Sequence, residues 1–538
     1  MSTVPSVPTV FERGEYETSM MAVSDSIWDL PWTIWAVAIF GSLSSAGFGF
    51  DQAWWASIMS SQQFASRFGH YSHVQGAWVL SDRQQSLGTG LGYAGVILGL
   101  LCATPLNERF GRKKSLWIQS AVVSVGVVIE STCETSYAQF LVGKAVVYFG
   151  GGIASNVIPV YQGECAPQAL RGVMAGTYNV FLMVGGLVAA LIVYLCRHIP
   201  GDWAWRGVVV AQIAIPVLNW ISLPILPESP YWLMQRGRRD EAGVSLARLR
   251  GIPLADARVE VARLQQQQHL QKQQQQHQED QQQPDESASA WSLCFTHPIH
   301  RRRTIICVGA QVFQQAQGIS FVANYQAVFL QQIGFRQVLL MSVIVYVIGI
   351  AGNLTGVAIA DRLGRRLVLL VSAALLGACM LTIGGLTCTP TDNYGRQVGA
   401  VVMLMLWFFT FQSTWGPLAW VLTAEVPPAA AVREKMVTLA GFAAYGTGLA
   451  IVFVQPYTQA AIGGSVAFIY GGLSVVATAF VWFVVPELKQ RSLEEIDEMF
   501  AERVSARAFG TYRCQGVLSR NEVEGKSGSL EEECVEML

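Results

Sequence analysis

Two ionisable residues stand inside long apolar runs. Asp51 lies in GFGFDQ and Lys144 in FLVGKAVVYFGGG. A charge at bilayer depth costs about 2.5–3.5 kcal/mol on insertion scales, so a residue kept there is a functional candidate. Opposite signs can neutralise each other, and protonating Asp51 would release Lys144, which is the chemistry of a proton switch. The plainer alternative is a static ion pair that holds two helices. A second group is QVFQQAQGISFVANYQ, where Gln314 and Gln315 offer amide donors and acceptors suited to a polyhydroxylated ligand. The plainer reading there is bonding between neighbouring helices. A third is STWGPLAWVLTAE, in which Gly416-Pro417 frees backbone for a bend and Trp420 presents a flat apolar face with one N–H. No nucleophile–base pair, metal cluster or phosphate-cradling loop accompanies them, so neither an enzyme nor a metal or other cofactor is expected.

The elements that must position these residues follow from composition. Of 538 residues, 52% are hydrophobic and 14% charged, against about a quarter charged in soluble proteins. Mean hydropathy is +0.36, which points to an integral membrane protein. Lysines plus arginines (36) nearly cancel aspartates plus glutamates (37), so no nucleic-acid partner is expected. Cys102, Cys165, Cys307 and Cys379 lie in or beside apolar runs and read as small buried hydrophobes. A helix needs roughly 20 apolar residues to cross the hydrocarbon. Twelve runs qualify, near 33–57, 86–106, 115–131, 138–163, 172–195, 205–226, 303–329, 336–360, 367–388, 398–424, 436–458 and 464–485. The first thirty residues carry Glu12, Glu15, Asp25 and Asp29, unlike a cleavable signal. The expected class is all-α, with twelve transmembrane helices in two six-helix halves.

Lysine and arginine fix the orientation. NERFGRKK after the second span, ADRLGRR after the eighth and MQRGRRDEAGVSLARLRG after the sixth fall on one side, which the positive-inside rule makes cytoplasmic. The organisation is then a cytoplasmic tail (1–32), an N-terminal half (33–226), a cytoplasmic linker (227–302), a C-terminal half (303–486) and a second cytoplasmic tail (487–538). The linker contains QQQQHLQKQQQQHQEDQQQ at 265–283, which has no apolar face to bury and reads as a loose insert. The polar stretch from about 500 onward is expected to be loose as well.

The punctuation repeats. NERFGRKK, ECAPQALRG and PESPYWL follow the second, fourth and sixth spans, and ADRLGRR, EVPPAAAVREK and PELKQRSLEEID follow the eighth, tenth and twelfth. Such order across two halves marks an internally duplicated transporter. On these motifs the chain resembles the major facilitator superfamily and, within it, the sugar porter family, over about 33 to 497. The resemblance implies an inner latch at Glu108, Arg112, Glu164, Arg171, Glu228, Asp361, Arg365, Glu425, Arg433 and Glu487. The alternative is topology-setting charge and ordinary surface pairs, each worth about 0–1 kcal/mol. Glu108 stands where the family usually has Asp, Tyr231 where an arginine is usual, and Arg433 one position beyond the common spacing.

The same resemblance implies proton coupling at Asp51, with Lys144 in place of an arginine that offers a planar fork. It implies sugar binding at Gln314 and Gln315 and stacking on Trp420. Ser320 stands where the family has an asparagine, Asn324-Tyr325 replaces a tyrosine pair, and Asn179 and Gly186 occupy positions where glutamines are common. The expected protein is a plasma-membrane carrier, working as a monomer and importing a sugar or related polyol with a proton by alternating access. A proton-independent facilitative carrier and a non-transporting sugar sensor are the alternatives. Disaccharide, hexose, pentose, inositol and quinate-type substrates all stay open.

Overall fold

The computed structural model describes residues 31–514 apart from 74–75, 168–170, 267–289, 336, 389–392, 429–431, 490, 492 and 513. Most of the Gln-rich insert therefore lies outside the described residues. Among the described residues, ten segments are long and apolar enough to cross a membrane, and one of them, Lys435–Val484, contains two spans turned at Gly463 (φ 55°). The twelfth crossing helix is the third span, Arg112–Ser131. Arg112, Lys113, Lys114 and Glu130 lower its apolarity without shortening it.

Several spans are broken where a bend is needed. The seventh divides into Pro298–Gln314 and Ser320–Gln332 around a wide-turn segment, Gln315–Ile319, in which Gly318 has φ 115°. Only glycine adopts that backbone without strain. The tenth divides at Thr414 (φ −133°, ψ −84°), just before Gly416-Pro417. A proline cannot donate the helical hydrogen bond, so the step predicted as a bend is one.

Within the N-terminal half the helices touch backbone to backbone. A Cβ on Gly99 would come within 2.1 Å of the Phe149 carbonyl oxygen, and one on Gly49 within 1.9 Å of that of Leu182. The second and fourth spans, and the first and fifth, are thus held at small-residue distance, the packing that works where lipid removes the hydrophobic drive. Among the described residues, three hydrogen bonds join the halves at mid-depth or further out. Ser86 Oγ donates to Phe453 O (2.9 Å), Asn324 Nδ2 to Tyr93 OH (3.1 Å) and Gln412 Nε2 to Met183 Sδ (3.4 Å). The described structure therefore has its halves joined toward the outer side.

Beyond the spans, the outer loop after the first carries a helix (Gln62–Phe68) and a short hairpin, β1 (His70–Ser72) with β2 (Ala77–Val79). On the inner side the chain forms helices at Pro230–Gln235, Arg239–Arg250 and Ala290–Thr296. The expectation of looseness from about 500 does not hold up to 514. Helix Leu493–Ala501 leads into a packed segment in which Ile496, Met499, Phe500, Phe509 and Cys514 are buried. Arg303 Nη1 lies 2.5 Å from Asp497 Oδ1, and Arg302 donates to Val504 O (2.7 Å) while facing the rings of Phe500 and Phe509. Overall polarity hid an apolar stripe at helical spacing, Ile496 with Met499 and Phe500.

Candidate transport site

Asp51 is seven residues before Ile58 and Lys144 seven after Tyr137, about 10 Å below the outer helix ends in both cases. Both side chains are 0% exposed, and Lys144 Nζ lies 3.6 Å from Asp51 Oδ2. That is an ion-pair contact but longer than a hydrogen bond. Asp51 Oδ1 accepts a hydrogen bond from Trp54 Nε1 at 2.7 Å. The ammonium sits 5.0, 4.7 and 4.5 Å from the ring centroids of Trp54, Trp55 and Tyr148, so three π faces share its charge. Above the pair, Trp55, Phe64, Phe68, Phe140 and Trp205 interlock at centroid distances of 5.0 to 6.4 Å and seal it from the outer side.

A different set gathers at the break in the seventh span. Gln314, 4% exposed, donates through Nε2 to the carbonyls of Trp415 (3.1 Å) and Gly416 (2.9 Å), at the start of the second part of the tenth span. Gln315 is half-buried, and its Oε1 accepts from Ser320 Oγ at 2.7 Å. Asn324 Nδ2 donates to Ser320 O (2.8 Å) and across the halves to Tyr93 OH. Gly448 of the eleventh span closes the group, since a Cβ there would sit 2.9 Å from Tyr93 and 3.4 Å from Ser320 Oγ. Gln314, Gln315, Ser320 and Asn324 are thus one cluster. Asn179, half-buried on the fifth span, and Trp420, 40% exposed on the tenth, are not hydrogen-bonded to it among the described residues. The tenth span buries two indoles, Trp407 and Trp415, and Trp415 Nε1 donates to Leu369 O (3.1 Å). A cleft of 510 Å³ lined by Phe68, His70, Arg83 and Tyr137 opens at the outer ends of the helices and is separate from the amides.

The inner charges form two matching braces. Arg112 Nη2 meets Glu164 Oε1 at 2.6 Å, and Arg365 Nη2 meets Glu425 Oε1 at 3.3 Å. Glu228 accepts the backbone N–H groups of Arg112 (3.0 Å) and Lys113, and Glu487 those of Arg365 (2.9 Å) and Arg366. Each receiving helix starts after a left-handed glycine, Gly111 (φ 85°) or Gly364 (φ 88°), and its N-terminus favours a carboxylate. Burial pushes the Glu228 carboxyl above its usual range, against the pull of the N–H groups of Ser229, Lys113 and Arg112 and the Lys113 charge. These pairs close within each half. Glu108 contributes its backbone carbonyl to Trp232 and Arg236 rather than its carboxylate. Arg433 donates to Ala424 O (2.8 Å), not to Glu425. The side chains of Arg171 and Asp361 lie outside the described residues.

Two buried groups were missed in the sequence. Tyr93, in the glycine-rich second span, is the N-terminal half's contribution to the amide cluster. Its signal was a lone tyrosine in LGTGLGYAG. Glu130, one residue from the end of the third span, is fully buried beside the Asp51–Lys144 pair. Its place at a span end made it look like an interface residue.

The family described as "Sugar (and other) transporter" matches residues 37–500. The probable glucose transporter rco-3 of Neurospora crassa is 28% identical over 87% of this chain and 79% of its own. The high glucose sensor RGT2 of Saccharomyces cerevisiae is 28% identical over 76% of this chain and 53% of its own. Among solved structures, the proton:xylose symporter XylE of E. coli bound to 6-bromo-6-deoxy-D-glucose superposes with a TM-score of 0.67 at 23% identity, covering 87% of this chain and 99% of that one. The helical halves are those of the major facilitator fold, and the chain belongs to the sugar transporter family.

Proposed function

We propose that the chain carries a sugar or related polyol into the cell together with a proton, by alternating access, across the plasma membrane and as a monomer. The observation that carries this reading is the Asp51–Lys144 contact of 3.6 Å in a dry, ring-sealed site of the N-terminal half. Protonating Asp51 removes the partner of Lys144 and frees the first and fourth spans to move against each other. Gln314, Gln315, Ser320 and Asn324 offer the amide and hydroxyl groups that a polyol needs, Trp420 and Asn179 are assigned to the same substrate, and the wide turn at Gly318 is where the seventh span can flex. With the halves joined outward, the structure fits a state whose outer side is shut. The arginine–glutamate braces, with Glu108, Arg171, Asp361 and Arg433 at the same face, form the inner gate and keep each half stiff while it rocks. The symporter XylE shares the fold, which supports the coupled form over the facilitative one.

The test is sugar uptake into proteoliposomes under a pH gradient, acid outside. The wild-type protein accumulates sugar above the outside concentration and alkalinises the medium, and Asp51→Asn abolishes both. Accumulation undiminished in Asp51→Asn would sink the coupling assignment. Sugar binding without any uptake would instead place the chain with the sensors.

A further inference from the structure

The N-terminal half holds a buried acid that the pair just described does not use. Glu130 is 0% exposed, and neither of its carboxylate oxygens has a hydrogen bond. Its chain lies over Gly143, where a Cβ would come within 2.7 Å of Glu130 Cγ, so the glycine next to Lys144 is what admits it. Helical side chains lean toward their own N-terminus. For the third span that is the inner end, and the lean brings the carboxyl down to the level of Lys144. The groups facing it are Asp51 of the first span, Lys144 and Tyr148 of the fourth, and the amide of Gln212 on the sixth. Gln212 Nε2 makes no hydrogen bond either.

Two carboxyl groups and one ammonium therefore share a closed apolar space. The cage of three rings keeps Lys144 charged, and one carboxylate balances it. Ionising the second would leave a net charge in hydrocarbon, which is far costlier than a neutral acid. Asp51 accepts the Trp54 N–H at 2.7 Å, while the one amide facing Glu130, that of Gln212, does not reach hydrogen-bond geometry, so the acid that keeps its proton is Glu130.

We propose that Glu130 is a second proton site, protonated beside the ionised Asp51–Lys144 pair. When Asp51 takes a proton from the outer solution, Glu130 releases its own and becomes the counter-ion of Lys144. One proton enters the trio and one leaves, so its net charge stays at zero throughout. Entry and exit are then different residues. Gln212 links the exit side to a 20 Å³ cavity lined also by Ser44, Gln119 and Asn219, room for one water. From it Asn219 Nδ2 donates to Ser44 Oγ (2.8 Å), which donates to Gln119 Oε1 (2.9 Å). The inference rests on the proton-coupled reading above.

The experiment combines infrared spectroscopy of the purified full-length protein at neutral pH with gradient-driven uptake. A buried carboxylic-acid stretch is expected in the wild type, lost in Glu130→Gln, displaced in Glu130→Asp and roughly doubled in Lys144→Met, where both acids go neutral. In proteoliposomes Glu130→Gln is expected to lose accumulation above the outside concentration. A stretch unchanged in Glu130→Gln and undisplaced in Glu130→Asp overturns the proposal, as does a Glu130→Gln protein that accumulates sugar like the wild type. A wild-type protein that never accumulates sugar sinks the symport reading and the relay with it, an outcome distinct from the other two.

Discussion

At the inner face the two six-helix halves are near copies. Arg112 meets Glu164 as Arg365 meets Glu425, and Glu228 and Glu487 each cap a helix that starts after a left-handed glycine. Toward mid-depth the likeness ends. The N-terminal half buries Asp51, Lys144 and Glu130, while the C-terminal half buries Gln314, Ser320 and Asn324 beside Gln315. Duplication preserved what each half needs to be a rigid body. Divergence gave one half ionisable groups and the other neutral groups that exchange hydrogen bonds. The difference is one of labour, and Asn324 to Tyr93 is where the two meet.

The largest effect should come from removing the cation of the N-terminal half, so that the buried Asp51 carboxyl has to be neutralised by a proton instead. Lys144→Met removes the only cation of the trio, and breaking a buried pair costs about 3–5 kcal/mol. Unfolding of the purified protein in detergent should show that loss, and adding Asp51→Asn should restore most of it. The matching change in the other half, Gln315→Leu, exchanges an amide for a hydrocarbon of similar size and should cost well below half as much. Equal losses from the two would erase the distinction between the halves.

The next effect reverses the roles. Gln314→Ala and Gln315→Ala each remove an amide, worth about 1–3 kcal/mol when its partner is left bare, which is roughly a 5- to 150-fold rise in sugar KM. The dependence of accumulation on the pH gradient should keep its wild-type form in Gln315→Ala. If KM holds while the gradient dependence collapses, the C-terminal half shares the proton chemistry and the division fails.

How much of this was legible is itself uneven. The spans and the duplicated loops could be read because lipid demands long apolar helices, and because glycine turns and helix-capping carboxylates have fixed local spacing. Asp51 and Lys144 stood out for the same reason, as charges in apolar runs. Glu130 did not, since a carboxylate at a span end looks solvated until the lean of its side chain is known. Tyr93 was hidden because tyrosine suits both lipid interface and core. The packed segment before 514 was hidden by its charges: Arg302 and Arg303 at the foot of the seventh span, far away in sequence, are what hold it.

The braces allow a finer comparison. Arg112–Glu164 is shorter than Arg365–Glu425 (2.6 against 3.3 Å) and less exposed, with side chains at 10% and 20% against 17% and 29%. Glu164 also accepts from Ser229 Oγ at 2.5 Å. Glu164→Gln should therefore lower stability by about 1–2 kcal/mol and Glu425→Gln by at most about 1. The reverse order, read as unfolding temperatures of the two purified variants, would mean that the C-terminal brace is the stiffer one.

The smallest effect separates Arg433 from the charges it was grouped with. Its guanidinium reaches the Ala424 carbonyl at the end of the tenth span and leaves Glu425 to Arg365. A single half-buried contact of this kind satisfies one of the helix's last carbonyls, a group that water can serve as well. Arg433→Ala should thus change stability by no more than about 0.5 kcal/mol, against the larger loss from Glu425→Gln in the same assay. If Arg433→Ala instead matches or exceeds Glu425→Gln, the arginine carries brace charge in a state with the inner side shut, where the two halves meet and the pairing differs from the one seen here.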